Sequence, residues 1–276
     1  MADVTLALSG GGAAGIGHIP VLEAFDELGV RPAAIAGVSI GAVIGVGYAA
    51  GLSGAELREH VIELAERPSH TARKLWKDMD FRSLTSLFSA DPRAVLEVVL
   101  PEAVPEAFEA LGIPFHVTAT DYYGREAKTF TSGAVRDAIA ASMAIPGLFR
   151  PLALEGRVYV DGGVTNNLPL DVLPKAEISV AVDVASGPPN DGREVPGALT
   201  ASVESMRIMM RALLLKTLED HPPTVLIEPG SSKFRALEFW RVSEILDAAE
   251  HAREDTKRAL AEALEGAEGD TPRAGE

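Results

Sequence analysis

Ser39 lies within Gly37-Val38-Ser39-Ile40-Gly41, between an apolar run (Ala33-Ala34-Ile35-Ala36) and a run of small helix-compatible residues from Ala42 to Ala50. This setting suits an acyl-transfer nucleophile, because a strand, a sharp turn and a helix together lift a serine hydroxyl above a sheet. Gly37 and Gly41 relieve crowding beside such a turn, and the helix N-terminus behind Ser39 aims N–H groups at negative charge. Acyl transfer passes through a tetrahedral oxyanion, and each N–H fixed around that oxygen is worth about 10²- to 10³-fold in rate. Gly10, Gly11 and Gly12, at the start of another helical pattern, can form such a nest. A serine also needs a proton acceptor. Asp121, Asp161 and Asp183 compete for that role, and Asp161 stands out because Gly162-Gly163 follow it as a tight turn. An aspartate is a weak base at its ordinary pKa, so the site must desolvate it or hold it against the hydroxyl. The histidines (His18, His60, His70, His116, His221, His251) fall in no recognisable motif, which leaves a Ser-His-Asp triad open at this point.

Gly10-x-Gly12-x-x-Gly15 also fits a dinucleotide-binding fingerprint. That reading needs an acid at the end of the second strand, and nothing from Val30 to Ile40 is acidic.

These residues must be positioned by strands alternating with helices. Val4 to Leu8 reads as a strand, followed by a glycine turn and a helix through Val21, Leu22, Phe25 and Leu28 that stops at Gly29. The Ala33–Ala36 strand and its helix follow, then a mainly helical block from Leu52 to Leu111 broken at Pro68, Pro92, Pro101 and Pro105. Further strands are expected at Phe115–Thr120, Val158–Val160 and Ile178–Val184, with a helix at Val135–Met143. Near-continuous apolar strands imply a mainly parallel sheet covered on both faces, with its ligand site at the C-terminal strand edge. Residues 203–219 are apolar almost all round and are expected to form a buried core helix, or else a wall for acyl chains. A final amphipathic helix is expected from Ser243 to Leu264. The organisation expected is one domain over 1–265, with its core motifs in 3–185 and a helical part at 197–265, and a disordered tail over 266–276.

With 276 residues, 47% of them hydrophobic, the chain can bury a large core. No apolar stretch reaches the length of a membrane span, and Met1-Ala2-Asp3-Val4 does not open a signal peptide, so a cytoplasmic location is expected. The absence of cysteine rules out disulfides and thiolate metal sites. A formal charge of −15 argues against nucleic acid as a partner and works against anionic membranes. Residues 67–93 are the exception, with six basic residues against three acidic and Leu75, Trp76, Phe81 and Phe88 interleaved. The plain reading is a solvated helical face; the alternative is peripheral contact with a membrane.

Taken in order, Ser9-Gly10-Gly11-Gly12-x-x-Gly15, Gly37-x-Ser39-x-Gly41 and Asp161-Gly162-Gly163 resemble the patatin-like phospholipases, of the bacterial single-domain type. Ala119-Thr120-Asp121, the stretch Ala141-Ser142-x-Ala144-Ile145-Pro146, and Asn166-Asn167-x-Pro169 add to the likeness. The resemblance implies a three-layer α/β/α hydrolase with a Ser39–Asp161 dyad and no histidine, metal or cofactor. It assigns the oxyanion to the N–H groups of Gly11 and Gly12, helped by Gly10 and Ile40, with Gly15, Gly37, Gly41, Gly162 and Gly163 supporting the turns. Asp121, Asn166 and Asn167 would shape turns. The implied activity is acyl-lipid or small-ester hydrolysis through an acyl-enzyme; alternatives are an acyltransferase with the same dyad or a catalytically weak lipid-binding member. Where the family usually carries a basic residue before the last glycine of the oxyanion motif, this chain has Ala14. The expectation drawn from that loss is weaker selection for anionic phospholipids and broader action on neutral or single-chain esters.

Overall fold

The computed structural model describes residues 2–66, 90–186, 195–234 and 238–269. Its centre is an eight-stranded sheet: β1 (Val4–Leu8), β2 (Ala34–Val38), β3 (Phe115–Asp121), β4 (Glu126–Phe130), β5 (Leu152–Leu154), β6 (Arg157–Asp161), β7 (Ile178–Val182) and β8 (Val225–Ile227). β1, β2, β3, β7 and β8 run parallel, while β4 and β6 pair antiparallel with β3 and β5 pairs antiparallel with β6. Every residue of β1 and β2 is buried, so both are written as unbroken apolar or small residues and do not alternate. This is the expected α/β architecture with a mainly parallel central sheet.

Eight α-helices surround the sheet among the described residues: α1 (His18–Glu27), α2 (Ile40–Ala49), α3 (Gly54–Glu66), α4 (Pro92–Val99), α5 (Val135–Ser142), α6 (Ala198–Asp220), α7 (Val242–Ala249) and α8 (His251–Gly269). None is long and apolar enough to cross a membrane. Pro20 sits in the first turn of α1, where its missing N–H removes no intrahelical bond. The single C-terminal helix expected from Ser243 to Leu264 is two helices meeting at Glu250, and the second continues to Gly269, past the expected start of the tail. Residues 270–276 and most of the basic stretch 67–93 lie outside the described residues.

α6 corrects the reading of residues 203–219. Leu214 is fully buried, but Ile208 and Met209 are 70% and 61% exposed, with Leu213 and Leu215 about half exposed. The helix is therefore neither a core helix nor a lining of the cavity beside Ser39.

Register around β3 decides where the chemistry lies. β4 pairs with one edge of β3 over 117–121, so β2 and β6 must share the other edge. They meet there end to end: Val38 of β2 is opposite Thr118, and Asp161 of β6 is opposite Ala119. Asp161 thus reaches the C-terminal end of β2 on a strand running against it. Alternating βα units would have delivered it on a parallel strand.

Candidate active site

Ser39 follows β2 directly and caps α2 with φ 53° and ψ −122°, a backbone conformation that a side chain bears only when its surroundings enforce it. The enforcement is visible. A Cβ on Gly37 would lie 2.7 Å from the Gly41 carbonyl oxygen and 2.8 Å from Ala42 Cα, and one on Gly41 would collide with the Leu8 carbonyl. The Ser39 N–H donates to Ser142 Oγ (2.8 Å), and that hydroxyl donates onward to the Thr118 carbonyl (2.7 Å). Two residues later, the Ala144 carbonyl accepts the Asp161 N–H at 2.9 Å. The C-terminal end of α5 and the residues just after it therefore fasten Ser39 and Asp161 together. The sequence held the Ala141-Ser142-x-Ala144 pattern without revealing this role.

Asp161 is fully buried. Its Oδ1 accepts the Gly163 N–H at 2.8 Å, and Oδ2 has no hydrogen-bond partner. Burial raises its pKa to about 6, and the neighbouring Ser39 hydroxyl and the Gly163 N–H offset part of that rise. The Ser39 hydroxyl thus neighbours the carboxylate without closing a hydrogen bond to Oδ2. The other two aspartates serve turns. Asp121 accepts from the Gly124 N–H and pairs with Arg157, and Asp183 accepts from the Ala185 and Ser186 N–H groups.

Among the described residues, no histidine hydrogen-bonds Ser39. His18 is buried against the Ser9 carbonyl (2.9 Å), and burial lowers its pKa to about 4, which keeps it neutral. His60 bonds the Val99 carbonyl at 2.9 Å.

Gly12 has φ 60°, in the left-handed region open to glycine, and begins a 3-10 turn spanning Gly12–Gly17. The N–H groups of Gly12 and Ile40 open helical turns and so lack an intrahelical acceptor, and that of Gly11 precedes the turn. Gly10 differs: its N–H donates to the Asn167 carbonyl (3.2 Å), and the Asn167 side chain reaches back to the Gly10 carbonyl (3.4 Å). Gly10 is tethered and is not a free oxyanion donor, which corrects that assignment. Gly15 packs against the Ile40 side chain, and Gly163 lies beneath Met210 and Asn167. Asn166 bonds Asp171 at 2.6 Å, a turn contact.

A cavity of about 160 Å³ opens beside Ser39, walled by α2, α3, α4 and residues 143–149. Apart from Ser39, its one polar side chain among the described residues is His60. Gly12 and Ile40 border the same cavity as Ser39.

Ala14 does not. It is completely buried, its carbonyl accepts the Ser231 hydroxyl at 2.8 Å, and it is no part of the cavity wall. A cation at this position would point into the core and away from a headgroup, so the expectation of altered lipid selection loses its basis. Ala14→Arg should instead lower stability by about 3 kcal/mol or more, through overpacking and an unpaired buried charge. Thermal unfolding of the variant checks this, and an unchanged Tm would mean that position 14 opens to solvent.

The profile described as Patatin-like phospholipase matches residues 6–174, a stretch that contains every residue discussed at this site except Asp183, Ala185, Ser186, Met210 and Ser231. An uncharacterized NTE family protein of Mycobacterium tuberculosis is 34% identical over 204 residues, covering 72% of this chain and 53% of its own length. Human patatin-like phospholipase domain-containing protein 6 is 32% identical over 189 residues, covering 66% of this chain and 13% of its own. The chain thus spans about half of the mycobacterial relative and a small part of the human one. Among solved structures, VipD from Legionella pneumophila superposes with a TM-score of 0.50 at 14% identity, over 95% of this chain and 67% of VipD, a likeness of fold. Profile and motifs agree on one conclusion: the chain belongs to the patatin-like phospholipase family.

Proposed function

We propose that the chain is a serine acyl-lipid hydrolase working through a Ser39–Asp161 dyad. Hydrolysis of lipid esters is the activity that the family points to, and the end-to-end meeting of β2 and β6 on β3 is the observation that carries the finer reading. In this reading Ser39 Oγ attacks the ester carbonyl carbon while Asp161 takes its proton. The N–H groups of Gly11, Gly12 and Ile40 hold the oxyanion. Collapse expels the alcohol, which takes the proton back from Asp161, and leaves an acyl-enzyme on Ser39. Water then gives a proton to Asp161 and attacks the acyl carbon, and collapse breaks the bond to Ser39 Oγ, which takes that proton back as the fatty acid leaves. The apolar cavity accepts the acyl chain, since its walls offer almost nothing to a polar group.

A fluorophosphonate with peptide mapping tests the reading. The expected result is one adduct, on Ser39, together with hydrolysis of a medium-chain ester; an adduct elsewhere, or none, would overturn it. Only ionised Asp161 can accept the proton, so kcat/KM for a non-ionising ester should fall as pH drops through about 6 and level off above it. A pH–rate profile checks this. An acid limb near pH 4 would mean that Asp161 is not the buried base.

A further inference from the structure

We infer that the 3-10 turn Phe239–Arg241 is where the protein docks on a zwitterionic lipid surface and feeds acyl chains into the cavity beside Ser39. The inference rests on the acyl-lipid hydrolase reading and deepens it, using residues beyond the matched family segment. Phe239 lines the apolar cavity and is 37% exposed, so it marks the place where the cavity wall meets solvent. Next to it, Trp240 is 68% exposed. An indole left in water at the mouth of an apolar cavity suits the boundary between headgroups and acyl chains, where its ring is buried and its N–H stays hydrated. Other exposed apolar side chains, Tyr122 and Tyr123 after β3 and Ile208 and Met209 on α6, do not border the cavity.

The turn is firmly seated. Arg241 pairs with Glu244 (2.6 Å) and Glu238 (3.3 Å), and its guanidinium lies 4.7 Å from the centre of the Phe234 ring. These pairs also decide the kind of surface. Arg241, the one charged residue of the turn itself, is matched by two acids, and the chain as a whole carries −15. The turn itself therefore offers an aromatic wedge whose one cation is neutralised. It fits phosphatidylcholine-like headgroups, whereas an anionic bilayer would repel the protein.

The test uses Trp76→Phe protein, in which Trp240 is the sole tryptophan. Phosphatidylcholine vesicles should shift its emission to shorter wavelength, and lipids brominated on the acyl chain should quench it. Vesicles enriched in phosphatidylglycerol should do less. In the otherwise unchanged chain, Trp240→Ala should lower the ratio of vesicle-lipid to soluble-ester hydrolysis about tenfold. Unchanged emission with vesicles, stronger binding to the anionic vesicles, or Trp240→Ala altering the sedimentation of the protein alone, which would mark a contact between copies, would each overturn the inference. Its failure is separable from failure of the hydrolase reading. A Ser39 adduct without an emission shift removes the docking surface alone, and a shift without an adduct removes the chemistry alone.

Discussion

Asp161→Asn is expected to lower ester hydrolysis by about 10²- to 10⁴-fold, and Ser39→Ala by about 10⁴-fold or more. The asparagine retains an oxygen for the Gly163 N–H, which bonds Asp161 Oδ1 at 2.8 Å, so the turn should survive with its shape intact. On the proposed mechanism, what it loses is the acceptor. The buried carboxylate, with its pKa near 6 and an unpartnered Oδ2, is poised to take a proton at neutral pH, and an amide cannot. Attack on a fluorophosphonate needs the same acceptor, so labelling of Ser39 should slow in parallel while circular dichroism stays that of the wild type. Full activity in Asp161→Asn would move the base to His60, the one titratable side chain on the cavity wall among the described residues.

Gly162→Ala carries the second large effect, on the fold and on the site together. Gly162 follows Asp161 at the junction where β6 abuts β2. A Cβ there would overlap the Thr118 carbonyl oxygen and come within 2.7 Å of both the Thr118 carbonyl carbon and Val38 Cγ2. Neither obstacle is the loose end of a flexible side chain, so backbone must move. A destabilisation of about 3 kcal/mol is expected, at the upper end for overpacking. Because the strain would part the strands carrying Ser39 and Asp161, hydrolysis should fall even in the fraction that stays folded. Denaturant unfolding and the rate per labelled active site measure the two effects separately. A variant with wild-type stability and rate would show that the junction is not tightly packed.

The elbow and the glycine loop were legible in the sequence because each needs residue types that local geometry dictates, as at Ser39 with its positive φ and at Gly12. β1 and β2 were legible as short apolar runs. β8 and β5, three residues each, and the half-exposed β4 carry too little pattern to stand out. The direction of β6 was not legible at all. Strand direction follows from pairing, and Val158-Tyr159-Val160 would read the same in a parallel strand. The tether on Gly10 was equally hidden, since its acceptor, Asn167, is distant in the chain. On α6 the apolar composition misled: burial depends on which neighbours arrive, and Ile208 and Met209 remain exposed for a reason that nothing in the structure explains.

The meeting of β2 and β6 has a consequence for the chain as it is made. Ser39 leaves the ribosome early and Asp161 much later, and the two become neighbours only when β6 has added to the far part of β3, a long-range closure that comes late because its entropy must first be overcome. A nascent chain that has folded only its first strands would thus present a serine elbow without its proton acceptor. On the proposed mechanism such a chain is inert toward lipid. The order of synthesis alone then keeps a half-made chain from acting on lipid.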